Sequence, residues 1–108
     1  MQLSYLEYNG FEWDNGNVAK IESRVPVNEI ENFFQQELLI KADFRHSHNE
    51  ERFLAIGYTK KSKRCLLVAF TFRLNGHDKL IRPISARYTH KKEEEAYERE
   101  IKKLKKTN

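Results

Sequence analysis

The chain has 108 residues and a formal net charge of +4, with 39% hydrophobic and 33% charged residues, thirteen aromatic side chains and one cysteine. That length allows one domain, residues 1–108, with a modest core, and the aromatic content argues against disorder. Lone Cys65 makes neither an internal disulfide nor a cysteine zinc site, no apolar run spans a bilayer, and no signal-peptide pattern opens the chain; the expected setting is cytoplasmic, with no membrane.

In chain order, residues 3–13 are rich in Tyr, Phe and Leu and are broken by Asn9-Gly10, which predicts an edge strand or a short hairpin. Asp14 has the chemistry of a helix N-cap. Val18, Ile21 and Val25 follow at helical spacing until Pro26 stops the helix. A second helix is predicted from Asn28, with Glu31 completing a partial capping box and Ile30, Phe33 and Phe34 as its buried stripe. Leu38–Ala42 reads as a short strand and 43–50 as a polar loop. Further strands are expected over 52–59, 65–74 and 80–88, the last two joined by a hairpin link, Asn75-Gly76-His77-Asp78.

Residues 89–106 read as a charged helix capped by Thr89, with Glu93, Glu94 and Glu95 early and lysines late, as the helix dipole favours. Its apolar seam of Tyr97, Ile101 and Leu104 is narrow, which predicts weak docking. This order defines an α+β fold: two N-terminal helices packed on an antiparallel sheet, then a charged C-terminal helix.

Charge is segregated along the chain. Residues 1–50 carry four Lys or Arg against nine Asp or Glu, whereas residues 51–108 carry sixteen against seven. A domain so divided presents a positive region able to attract a polyanion, of which nucleic acid is the obvious candidate.

Four places hold polar residues that a core does not require. In Arg45-His46-Ser47-His48, the histidines have metal-ligand chemistry with Asp43 or Glu50, but no further ligand stands at a recognised spacing, so neither metal nor cofactor is expected. Arg73 ends an apolar strand, sharing a face with Thr71 and opposed to Phe70, Phe72 and Leu74. Arg82, Ser85 and Arg87 lie on the next strand. Arg82 and Arg87 differ in parity and go to opposite faces of a regular strand unless Pro83 introduces a bulge, so which of them joins Arg73 stays open. His90, Lys91 and Lys92 begin the last helix.

Arginine grips phosphate through two N–H groups at once. RNA is cleaved without a metal when its own 2′-hydroxyl attacks the adjacent phosphate, provided the protein supplies a base, a cation and an acid. Arg73, Arg82 and Arg87 suit the cation, and His90, His48 or Glu51 the proton transfer. The competing reading pairs these arginines with Glu50, Glu51 or the last helix.

At these residues the chain resembles the BrnT family of ribonuclease toxins. The resemblance rests on Phe11-Glu12-Trp13-Asp14, Glu50-Glu51-Arg52-Phe53, Ala55-Ile56-Gly57, Thr71-Phe72-Arg73 and Ile81-Arg82-Pro83-Ile84-Ser85-Ala86-Arg87, leading into Lys92-Glu93 and Tyr97. It runs from about residue 11 to 97. It implies a fold like the RelE and ParE toxins and metal-independent RNA cleavage that halts translation. It also implies neutralisation by a BrnA-like ribbon-helix-helix antitoxin, through which alone operator DNA is bound. The matching polar positions are Glu51, Arg52, Arg73, Arg82, Ser85 and Arg87. With His90 added and Arg52 set aside they form the expected catalytic group, and Arg52, Lys91 and Lys92 the expected RNA contacts. One segment departs: many relatives carry Lys-His-Gly-Val where this chain has Arg24-Val25-Pro26-Val27. Two other functions fit the same features: a non-catalytic ParE-like inhibitor, or a degenerate domain that binds RNA or a partner.

Overall fold

The computed structural model describes residues 1–106, and the apolar pattern of the sequence accounts for most of its elements. In order these are β1 (Gln2–Ser4), β2 (Gly10–Phe11), α1 (Asn15–Glu22), α2 (Val27–Phe33), β3 (Leu38–Ala42), a 3-10 turn (Phe44–His46), β4 (Phe53–Tyr58), β5 (Cys65–Asn75), β6 (Asp78–Tyr88) and α3 (Lys91–Lys106). The strands form one six-stranded sheet in the order β1-β3-β4-β5-β6-β2. All neighbours are antiparallel except β2, which runs parallel to β6.

Helices α1 and α2 cover one face. The core there joins Ile21, Val25, Ile30, Phe33 and Phe34 to Leu66, Val68, Phe70 and Ile81, all essentially inaccessible to water. Phe34 meets Phe70 edge-on with ring centroids 5.2 Å apart. Burying each such ring contributes about 1.5–3 kcal/mol, so this face holds the domain together. Asp14 caps α1 as expected, accepting from the amides of Gly16 at 2.9 Å and Asn17 at 3.3 Å, while the Asn17 side chain returns a bond to the Asp14 amide.

The structure corrects four local expectations. Of the edge strand or hairpin expected over residues 3–13, the hairpin does not form: β1 and β2 are edge strands, on opposite edges of the sheet. Asn9 uses its turn chemistry on β6 instead, donating its amide to the Lys79 carbonyl and accepting the Lys79 amide on its side chain. Helix α2 starts one residue early, with Pro26 at its N-cap and no side-chain cap, because the Glu31 carboxylate is taken by Trp13 Nε1 at 2.9 Å. Thr89 does not cap α3. His90 occupies that position, and Glu93 accepts its amide at 2.8 Å. Lastly, the sheet is antiparallel as expected except at its β2 edge, which runs parallel to β6.

The other face of the sheet is covered only at one end, where α3 lies over it. Tyr58 donates to Glu94 at 2.9 Å and also to Glu98, and its ring meets Tyr97 edge-on at 5.7 Å. These carboxylates hold the Tyr58 hydroxyl far above its ordinary pKa. The apolar seam is thus supplemented by polar anchors. Among the described residues no helix is long and apolar enough to cross a membrane.

Candidate nucleic-acid interface

The side chains of β6 are redistributed by a bulge. Phe70 pairs with Pro83 but the preceding Ala69 pairs with Ser85, so Ile84 is an extra residue on β6. Paired residues share a face. Thr71 pairs with Arg82, Ala69 with Ser85 and Leu67 with Arg87, and those β5 residues alternate with the core residues Leu66, Val68 and Phe70. The inserted residue therefore cancels the parity difference: Arg73, Arg82, Ser85 and Arg87 all emerge on the face opposite α1 and α2.

They do not form one cluster. Arg73 and Arg82 meet. Arg73 grips Glu50 with two bonds of 3.0 and 3.1 Å and reaches Glu12 Oε1 at 3.4 Å; Arg82 reaches the same Glu12 oxygen at 3.1 Å and Asp14 at 2.9 Å. Hydrogen bonding from Arg82 holds the Asp14 carboxyl below the usual carboxylate range. Arg87 stands four pairs away along β5, roughly 14 Å at the usual strand rise. It is gripped by Glu93 of α3 at 2.7 and 2.8 Å, which pulls the Glu93 pKa down to about 2. Pairing with Glu50 and with the last helix, the competing reading of the sequence, is what Arg73 and Arg87 do.

The remaining expected residues are dispersed. Ser85 lies in the groove between these ends. Glu51 is exposed and contributes its carbonyl, which accepts from the Thr71 hydroxyl at 2.6 Å. His90 sits at the start of α3 beside Glu93, away from the Arg73–Arg82 pair, and Lys91 and Lys92 are exposed on the first turn of that helix. Arg52 joins the groove and lies beside Arg73 and Arg82 at its end.

The groove itself, about 720 Å³, runs over the middle of the open face between α1 and the turn Phe44–His46. Its cations are Lys20, Lys41, Arg45 and Arg52, and Arg24 lines its continuation toward Arg87. Among the described residues none of these five has an ion-pair partner. Four of them come from the half of the sequence with the acidic balance. His46 is also here, with Nδ1 held 3.0 Å from Asp43, which leaves Nε2 for other work. His46, Lys20 and Lys41 are absent from the site predicted by sequence; for His46, the signal was Asp43 three residues before it.

Such a groove, cationic and walled by Leu54, Ala69 and Ile84, suits a polyanionic strand more than a small ligand. A search of curated proteins returns no match. Residues 13–93, however, match the family described as ribonuclease toxin, BrnT, of type II toxin–antitoxin system. That match takes in α1, β5, the bulge and the arginines it aligns, and the chain belongs to the BrnT family of ribonuclease toxins.

Proposed function

We propose that this chain acts in the cytoplasm as the toxin of its pair and cleaves RNA without a metal. The substrate's 2′ oxygen attacks the adjacent phosphorus as its proton leaves, the bond to the 5′ oxygen breaks, and that oxygen takes up a proton. The products are a 2′,3′-cyclic phosphate and a 5′-hydroxyl. The observation that carries this reading is the row of unpaired cations, Lys20, Lys41, Arg45 and Arg52, in a groove that also holds an Asp43-oriented imidazole. The cations hold the backbone, and His46 accepts the 2′ proton through Nε2. Arg82 and Arg73, at the end of the groove, meet a phosphate by exchanging Glu12 for it. A BrnA-like ribbon-helix-helix antitoxin neutralises the toxin and carries the pair to operator DNA.

Expression of the wild-type chain arrests growth on this reading, and His46→Ala or Arg82→Ala relieves the arrest while the proteins remain folded. Arrest undiminished in both variants contradicts it. One observation favours a second reading: Arg73, Arg82 and Arg87 are each engaged by carboxylates. In that case the chain is a binding domain or a ParE-like inhibitor, and total RNA incubated with it stays intact.

A further inference from the structure

The turn between β3 and β4 is ordered from within. The Asp43 amide donates to the Arg52 carbonyl at 2.8 Å, closing the loop at its base. Ser47 ties across it, donating to the Asp43 carbonyl at 2.8 Å and accepting the Arg52 amide at 2.9 Å. Glu50 is fixed by Arg73, and the Glu51 carbonyl by Thr71. Phe44 does the reverse of what burial favours: the backbone around it is tied by these bonds, while its own side chain projects with 87% of its surface in water.

Phe44 is the most exposed large hydrophobic residue among those described. Its position gives it a use. It lines the groove together with Lys41, Arg45, Arg52 and His46, and those three lysine and arginine side chains have no ion-pair partner among the described residues. An exposed aromatic face beside a track of free cations is the arrangement that binds single-stranded nucleic acid: the cations follow the phosphates and the ring stacks on a base. Leu74 and Tyr5, the next most exposed, do not line this groove.

We propose that Phe44 is the base-stacking platform of this groove, which takes one unpaired base of a single-stranded RNA next to the phosphate held by Arg52 and Lys41. This rests on the RNA-cleaving reading above and adds the contact that selects an unstacked strand over a duplex. Stacking of this kind is worth about ten- to a hundredfold in affinity.

The test is binding of a labelled 2′-O-methyl oligoribonucleotide, which resists 2′-hydroxyl attack, to the full chain and to Phe44→Ala and Phe44→Trp. The expected result is about tenfold or greater weakening for Phe44→Ala, near wild-type affinity for Phe44→Trp, and the same salt dependence in all three. With an abasic oligonucleotide of equal charge, Phe44→Ala binds as the wild type does. Undiminished affinity of Phe44→Ala, or equal loss on the abasic strand, overturns the stacking role while wild-type binding keeps the RNA reading intact. No binding by the wild type overturns both. Unchanged RNA affinity with lost neutralisation by a co-expressed antitoxin assigns Phe44 to a protein contact and likewise overturns it.

Discussion

The guanidinium groups of Arg73 and Arg82 converge on one oxygen, Oε1 of Glu12, at 3.4 and 3.1 Å. Two like charges so close are tolerable only with an anion between them, and Glu12 supplies it. A phosphate oxygen carries the same charge and accepts the same bonds, so on the RNA-cleaving reading Glu12 stands where a phosphate would sit and competes for the place. Replacing Glu12 by Gln keeps the shape and removes the charge. Glu12→Gln is expected to bind non-cleavable RNA about two- to tenfold more tightly, with a small loss of stability, since a surface ion pair is worth about 0–1 kcal/mol. Weaker RNA binding by a folded Glu12→Gln shows that the carboxylate positions the arginines rather than competing with substrate.

If the groove cations hold RNA, as proposed, they act through charge and their signature is in salt. Arg52→Ala and Lys41→Ala are each expected to weaken binding similarly for all RNA sequences and to reduce the slope of log affinity against log salt by about one. Titrations at several salt concentrations check this. A slope unchanged in both variants removes these residues from the phosphate path.

The clasp between α3 and the sheet is expected to be acid-sensitive. Glu93, about 38% exposed, is drawn from its ordinary value of 4.5 to about 2 by Arg87, with help from the His90 amide. Because the folded state depresses this pKa, the clasp's contribution is complete above about pH 4.5 and is lost as pH falls toward 2. Solvent screening limits it to about 1 kcal/mol or less. Urea unfolding of wild type and Glu93→Gln is expected to differ at pH 6 and to converge near pH 2. A constant difference contradicts the assignment.

Gly57 is a packing glycine. A Cβ there stands 2.7 Å from Leu38 Cδ2, and both residues are buried. Gly57→Ala should therefore destabilise the fold by about 1–3 kcal/mol through overpacking while leaving the groove intact. Thermal unfolding measures it, and an unchanged melting temperature shows that Leu38 moves aside freely.

Strands with strong apolar character are readable from residue order alone: β3 falls on Leu38–Ala42 as expected, because five apolar-rich residues between polar stretches admit little else. What escapes that reading depends on contacts remote in sequence. Asn9-Gly10 has hairpin chemistry, yet Asn9 satisfies it on Lys79, seventy residues away. The parity of Arg82 and Arg87 is decided by Ile84, an insertion whose place emerges only in register with β5. Charge counted by halves points to residues 51–108, whereas Lys20, Arg24, Lys41 and Arg45 of the acidic half reach the open face because β3 and α1 flank it. Phe44 sits in a stretch whose overall polarity marks it as a loop, and His46 reads there only for metal-ligand chemistry; the Ser47 bonds that tie the stretch across leave no mark in residue order.

The most direct measurement is the chemistry of the RNA ends left by the purified toxin in excess chelator. The account predicts fragments ending in a 2′,3′-cyclic phosphate, with 5′-hydroxyl partners, formed by the wild type and strongly reduced in Arg82→Ala and His46→Ala. Intact RNA, or fragments bearing 5′-phosphates that appear only with added divalent metal, contradicts it.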